Sequence, residues 1–120
     1  MREYIISYWF RDNDDREKQD QHFAFYDVIK KLARESNPDV DMRAVHPIDG
    51  TFFLKSDIDK DVLFKQLFDA LGGTETDASF LVTEVEMKSS KVGGWMPSSF
   101  WRSIEFDDKP KPKWLEEAEQ

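Results

Sequence analysis

Hydrophobic and polar positions alternate in blocks from Tyr4 to Met87, and each block has its own period. Tyr4-Ile5-Ile6-Ser7-Tyr8-Trp9-Phe10 is almost unbroken apolar and aromatic, the pattern of a central strand covered on both faces. The polar run Arg11-Asp12-Asn13-Asp14-Asp15 ends it, and Asn13 or Asp14 there suits a helix cap. From about Asp15 to Glu35 the period changes. Phe25, Ile29 and Leu32, joined by Val28, form a helical stripe, while Arg16, Lys30, Lys31 and Arg34 fall off it. Ser36-Asn37-Pro38-Asp39 stops that helix. Met42-Arg43-Ala44-Val45-His46 predicts a short strand at a sheet edge, and Pro47-Ile48-Asp49-Gly50 a hairpin turn. Thr51-Phe52-Phe53-Leu54-Lys55 predicts a third strand, and Ser56-Asp57-Ile58-Asp59 a capping box with a shortened acid. Leu63, Leu67 and Leu71 mark a second helix that Gly72-Gly73 terminates. Ser79 to Glu86 reads as a fourth strand whose second half alternates, so that one of its faces is solvated.

The order strand, helix, strand, strand, helix, strand is that of a ferredoxin-like α+β sandwich, βαββαβ. It predicts an antiparallel sheet in the order 4-1-3-2 with both helices on one face. The other face is then open, and its aromatic residues call for a cover, either a partner subunit or the C-terminal segment. This fold hosts many unrelated functions, so function must come from a site.

After Met87 the composition shifts, which divides the chain into a domain over residues 1–90 and a C-terminal extension and tail over 91–120. Lys88 to Gly94 reads as a flexible connector. Trp95-Met96-Pro97-Ser98-Ser99-Phe100-Trp101 is dense in large apolar groups, and Ile104-Glu105-Phe106 suits a short fifth strand. Asp107 to Lys113 reads as an extended linker, and Trp114-Leu115 as the anchor of a charged last turn.

Composition narrows the class of protein. A chain of 120 residues, 39% hydrophobic, with ten Phe and four Trp, has the material for one real core. It contains no cysteine, which excludes disulfides, zinc–thiolate sites and cysteine nucleophiles. The N-terminus enters a strand at once with no signal-peptide pattern, and no apolar run has the length of a membrane span. A cytoplasmic protein without a membrane association is the expectation. The net charge of −8 repels phosphate backbones and disfavours nucleic acid as a partner.

Four features are candidates for chemistry. Asp12, Asp14 and Asp15 follow the first strand. Their carboxylates suit a hard cation such as Mg²⁺ or Mn²⁺, and two copies across a dimer axis can share one ion; they equally suit a helix N-terminus with no metal. His22 and His46 titrate near neutrality but lie in no ligand spacing, so structural roles are expected of them. Trp95, Phe100 and Trp101 offer either a partner-binding surface or a clamp over the domain's own sheet face; no basic run is interleaved with them, which argues against base stacking. The glycine pairs Gly72-Gly73 and Gly93-Gly94 lack the spacing of a phosphate-binding loop and are read as turns.

Three stretches resemble a known group when taken together: Tyr4-Ile5-Ile6-Ser7-Tyr8, Thr51-Phe52-Phe53-Leu54-Lys55-Ser56-Asp57 and Ala78-Ser79-Phe80-Leu81-Val82-Thr83-Glu84-Val85. The combination, with Trp95 and Trp101, resembles small SinR-like bacterial proteins over about residues 3–101. More remotely it is similar to the small CRISPR-associated ferredoxin-fold nucleases. The resemblance implies a homodimer formed through the sheets. In the nuclease family an aspartate directly follows a tyrosine like Tyr8 and is thought to bind a divalent metal at the dimer axis. Trp9 stands there in this chain and cannot ligate a metal, which counts against nuclease activity; Asp12 substitutes only if the strand end is rebuilt.

The resulting expectation is a non-catalytic interaction or regulatory module, homodimeric, with Trp95, Phe100 and Trp101 as contact surface or dimer clamp and with no cofactor. The alternatives are a divalent-metal-dependent nuclease using Asp12, Asp14 or Asp15, and an acidic inhibitor or immunity-type protein that binds a basic partner.

Overall fold

The computed structural model describes residues 1–10, 16–75, 78–88 and 118, with the side chains of 16–18 and 75 excepted. By its internal contacts the chain divides into two units, Met1–Val85 and Glu86–Gln120, and the first holds the sheet and its helices. In chain order these are β1 (Arg2–Trp9), α1 (Arg16–Ser36), α2 (Met42–Val45), β2 (Thr51–Ser56), α3 (Lys60–Ala70) and β3 (Ser79–Val85). The unit is α+β, with one three-stranded antiparallel sheet in the order β2-β1-β3. The first strand lies in the middle, between the third and fourth of the strands expected from sequence.

Alternation along β1 sorts the sheet into two faces. Tyr4 and Ile6 are fully buried, with Tyr8 packed against the same cluster, and across the sheet they pair with Leu54, Phe52 and Phe80, Val82. Phe25, Ile29 and Ala33 from α1 and Leu63, Leu67 and Leu71 from α3 close over this face. The leucine spacing of α3 is the one anticipated. In α1 Val28 and Leu32 of the expected stripe pack partly buried against this cluster, and Ala33 joins Phe25 and Ile29 as a buried position. The one phenol sealed in this layer, Tyr4, donates its O–H to the Ile58 carbonyl at 2.6 Å, which removes the cost of burying it.

The expected second strand is a correction. Met42–Val45 is a single helical turn. Asp41 caps it, its carboxylate accepting from the Arg43 N–H at 2.9 Å, and the Ala44 and His46 N–H groups reach the Asp41 and Met42 carbonyls at 2.9 and 3.0 Å. Ala44 and Val45 are consecutive and both buried, which one turn of helix permits and a strand with a single covered face does not. The capping reading of Ser56 is corrected as well. Asp59 is the N-cap of α3, accepting from the Asp61 N–H at 2.9 Å, while Ser56 ends β2 with its hydroxyl accepting from the Ile58 N–H at 3.2 Å.

The turn before β2 is fastened to β1. Gly50 sits at φ 84° and its carbonyl accepts from the Tyr8 N–H at 2.9 Å; a Cβ at this position would lie 3.4 Å from the Tyr8 carbonyl oxygen. A side chain held at that φ is strained by about 1–2 kcal/mol. Gly50→Ala is therefore expected to lower the urea midpoint by that amount of stability with an unchanged m-value.

Candidate functional site

Polar chemistry inside the described fold concentrates where β1 ends. Tyr8 is the last inward residue of β1, and rings surround it: Phe10 at 4.8 Å between centroids, Phe52 at 5.3 Å, Phe25 at 5.6 Å, and Tyr26 and His46 at 5.8 Å each. Its hydroxyl lies 2.6 Å from Nε2 of His46. His46 is the C-cap of α2, and its ring stacks on Phe52 at 4.2 Å with the planes 14° apart. Tyr26, one residue beyond the buried Phe25 on α1, hydrogen-bonds to Tyr8 through its side chain. Lys30, one turn further along α1, lies 6.0 Å from the centre of the Tyr26 ring.

Burial lowers the His46 pKa below its usual value, against the pull of Asp49 and with the help of Lys30. The ring is thus neutral at neutral pH, and with its hydrogen on Nδ1 its Nε2 accepts the Tyr8 O–H. Burial, followed by the hydrogen bond to Tyr8, pushes the Tyr26 phenol up to about 12. It stays protonated at neutrality and serves as a donor. The chain of donors runs from Tyr26 to Tyr8 to His46.

The signs of these shifts bound a pH window. Histidine held below its unfolded value contributes stability that is full above about 6.5 and is lost as the pH falls through the folded value. A phenol held above its unfolded value contributes stability that is full below about 10 and is lost as the pH rises through about 12.

This arrangement makes a polar staple joining β1, α1 and α2. It has weak credentials as a catalyst. The imidazole nitrogen that would act as a base is engaged by Tyr8, and Tyr26 is harder to ionise than free phenol. His22 takes a structural position, stacked on Phe10 at 4.1 Å with planes 13° apart. Among the described residues no group of three or more His, Asp or Glu side chains is placed to hold a metal.

Asp12, Asp14 and Asp15, and likewise Trp95, Phe100 and Trp101, lie outside the described residues. Sequence reasoning singles out His46 but misses Tyr8, Tyr26 and Asp49. A signal for the tyrosines exists: both stand where a core-facing stripe calls for an apolar residue, and a phenol placed there needs a partner.

The opposite face of the sheet carries a different feature. Glu3, Ile5, Ser7 and Trp9 point there from β1, Thr51, Phe53 and Lys55 from β2, and Ser79, Leu81, Thr83 and Val85 from β3. Phe53 is 4% exposed, whereas Trp9 is 60% and Leu81 69% exposed. Trp9 pairs directly with Ser79, so Leu81 is its diagonal neighbour on the same face. Central strand β1 was expected to be covered on both faces; at Trp9 it is not. Trp9 and Leu81 thus place two large exposed apolar side chains at neighbouring positions on this face.

No family model matches the chain, and no curated protein or solved structure matches it. No helix among the described residues is long and apolar enough to cross a membrane.

Proposed function

We propose that this chain is a ferredoxin-like, non-catalytic interaction module that works as a homodimer through the sheet face bearing Trp9 and Leu81. The observation that carries the reading is the exposure of these two neighbours at the end of the central strand. Charge supports it. Among the described strand residues the face has one acid and one base, Glu3 and Lys55, directly opposite each other in register, on a chain whose net charge is −8. Two copies can approach on this face with little of the like-charge repulsion that the rest of the surface imposes. The strand order β2-β1-β3 supports the fold assignment, as it reproduces 3-1-4 of the 4-1-3-2 arrangement, with α2 in place of strand 2. The resemblance to SinR-like proteins points the same way. Trp95, Phe100 and Trp101 are the further contact residues in this proposal.

Chemistry provides the test of the non-catalytic part. The purified chain is incubated with single- and double-stranded RNA and DNA, with Mg²⁺ or Mn²⁺ and with chelator, beside Asp12→Ala and Asp15→Ala. An interaction module gives no cleavage above the background of the variants. Cleavage that needs metal and disappears in either variant overturns the proposal in favour of a nuclease.

A further inference from the structure

We propose that the Tyr8–His46 pair is a proton-operated latch that holds α2 on the sheet and releases it when His46 gains a proton. The inference is independent of self-association, because it concerns contacts on the helix-covered side of a single copy.

A four-residue helix has no stability of its own, since nucleation alone outweighs the few hydrogen bonds it makes. What keeps α2 in place is therefore what surrounds it. Asp41 caps one end, Ala44 and Val45 are buried in the middle, and His46 closes the other end through Tyr8 and Phe52. The last of these contacts is the one that protonation of an imidazole removes.

With its hydrogen on Nδ1, the neutral ring accepts the Tyr8 O–H at Nε2. A protonated ring has donors on both nitrogens and no acceptor. Tyr8 would then face two donors, His46 and Tyr26, and its own hydrogen would lose its acceptor in a half-buried place. The charged groups around His46 give the ring somewhere to go. From α1, Lys30 opposes a positive ring; from the turn before β2, the exposed Asp49 carboxylate attracts one. Tyr8 from β1 and Tyr26 from α1 are the other titratable neighbours, and Phe52 from β2 is apolar. A gained proton thus turns His46 from a Tyr8 acceptor into an Asp49 partner. The consequence is that Ala44 and Val45 leave the core, beside the strand that stands at the sheet's edge.

The test is an NMR titration of the full isotope-labelled chain from about pH 8 to about pH 4.5. It follows the His46 ring signals and the Cα secondary shifts of Met42–Val45, with those of β1 and β3 as the internal reference. The latch predicts that the helical shifts of Met42–Val45 vanish with the midpoint of the His46 ring, while β1 and β3 keep theirs. Tyr8→Phe removes the donor that favours the neutral ring, so both midpoints move together to higher pH. His46→Gln keeps α2 helical throughout. Helical shifts that survive the His46 titration overturn the proposal, as does loss of α2 and the strands in one step. An unmoved midpoint in Tyr8→Phe overturns it too, and that variant decides the matter should His46→Gln not fold.

Discussion

Phe25→Ala is expected to cost about 3–5 kcal/mol of stability, the loss that follows from emptying a fully enclosed aromatic position. Phe25 is fully buried, and its ring lies within 6.2 Å, centroid to centroid, of Tyr8, Phe10, Tyr26, Phe52 and Phe80, so it meets side chains from all three strands. Truncation leaves a void that neighbours on a hydrogen-bonded sheet cannot collapse to fill. A domain of this size is stable by only about 5–15 kcal/mol, so the variant should sit near the threshold of folding. Urea unfolding followed by circular dichroism checks it. Phe23→Ala is the control: Phe23 is exposed on the same helix, and the change should stay within about 0.5 kcal/mol. A loss below about 1 kcal/mol for Phe25→Ala would mean that the core is not where the structure places it.

Trp9→Ser combined with Leu81→Ser is expected to weaken self-association by roughly 10²–10³-fold while leaving each copy folded. Both side chains are more than half exposed in the single chain, so their removal takes little from its stability. In a face-to-face pair they would lie together near the end of the central strand, and a buried tryptophan beside an aliphatic neighbour is the usual anchor of such a contact. The loss corresponds to about 3–4 kcal/mol, since every 1.4 kcal/mol is about tenfold. Sedimentation velocity gives the dissociation constant, and the far-ultraviolet spectrum shows whether the fold is kept. An unchanged constant with a folded variant would place any interface elsewhere.

Much of the fold is legible in the sequence because its signals are local. The β-rich runs at Tyr4–Phe10 and Thr51–Lys55, the leucines of α3 and the glycines after it predict elements that the structure contains within one or two residues. Met42–His46 misleads because five residues carry too little period to separate a strand from a helical turn. The decision lies with the Asp41 cap and with the burial of two consecutive side chains. The site is less legible than the fold. Its members come from β1, α1, the end of α2 and a turn, and nothing in the linear order of Tyr8, Tyr26, His46 and Asp49 announces that they meet. The exposed pair on the other face is hidden for a related reason. Trp9 looks like part of an apolar run until alternation turns it outward, and Leu81 becomes its neighbour only through the antiparallel register of β1 with β3.

Sedimentation equilibrium of the unmodified chain across the micromolar range tests the central claim most directly. The account predicts a mass that rises with concentration from 14.2 kDa toward twice that value, and a Trp9→Ser, Leu81→Ser variant that remains at the single-chain mass over the same range. A single-chain mass at every concentration, or a dimer that the double variant leaves intact, would contradict it.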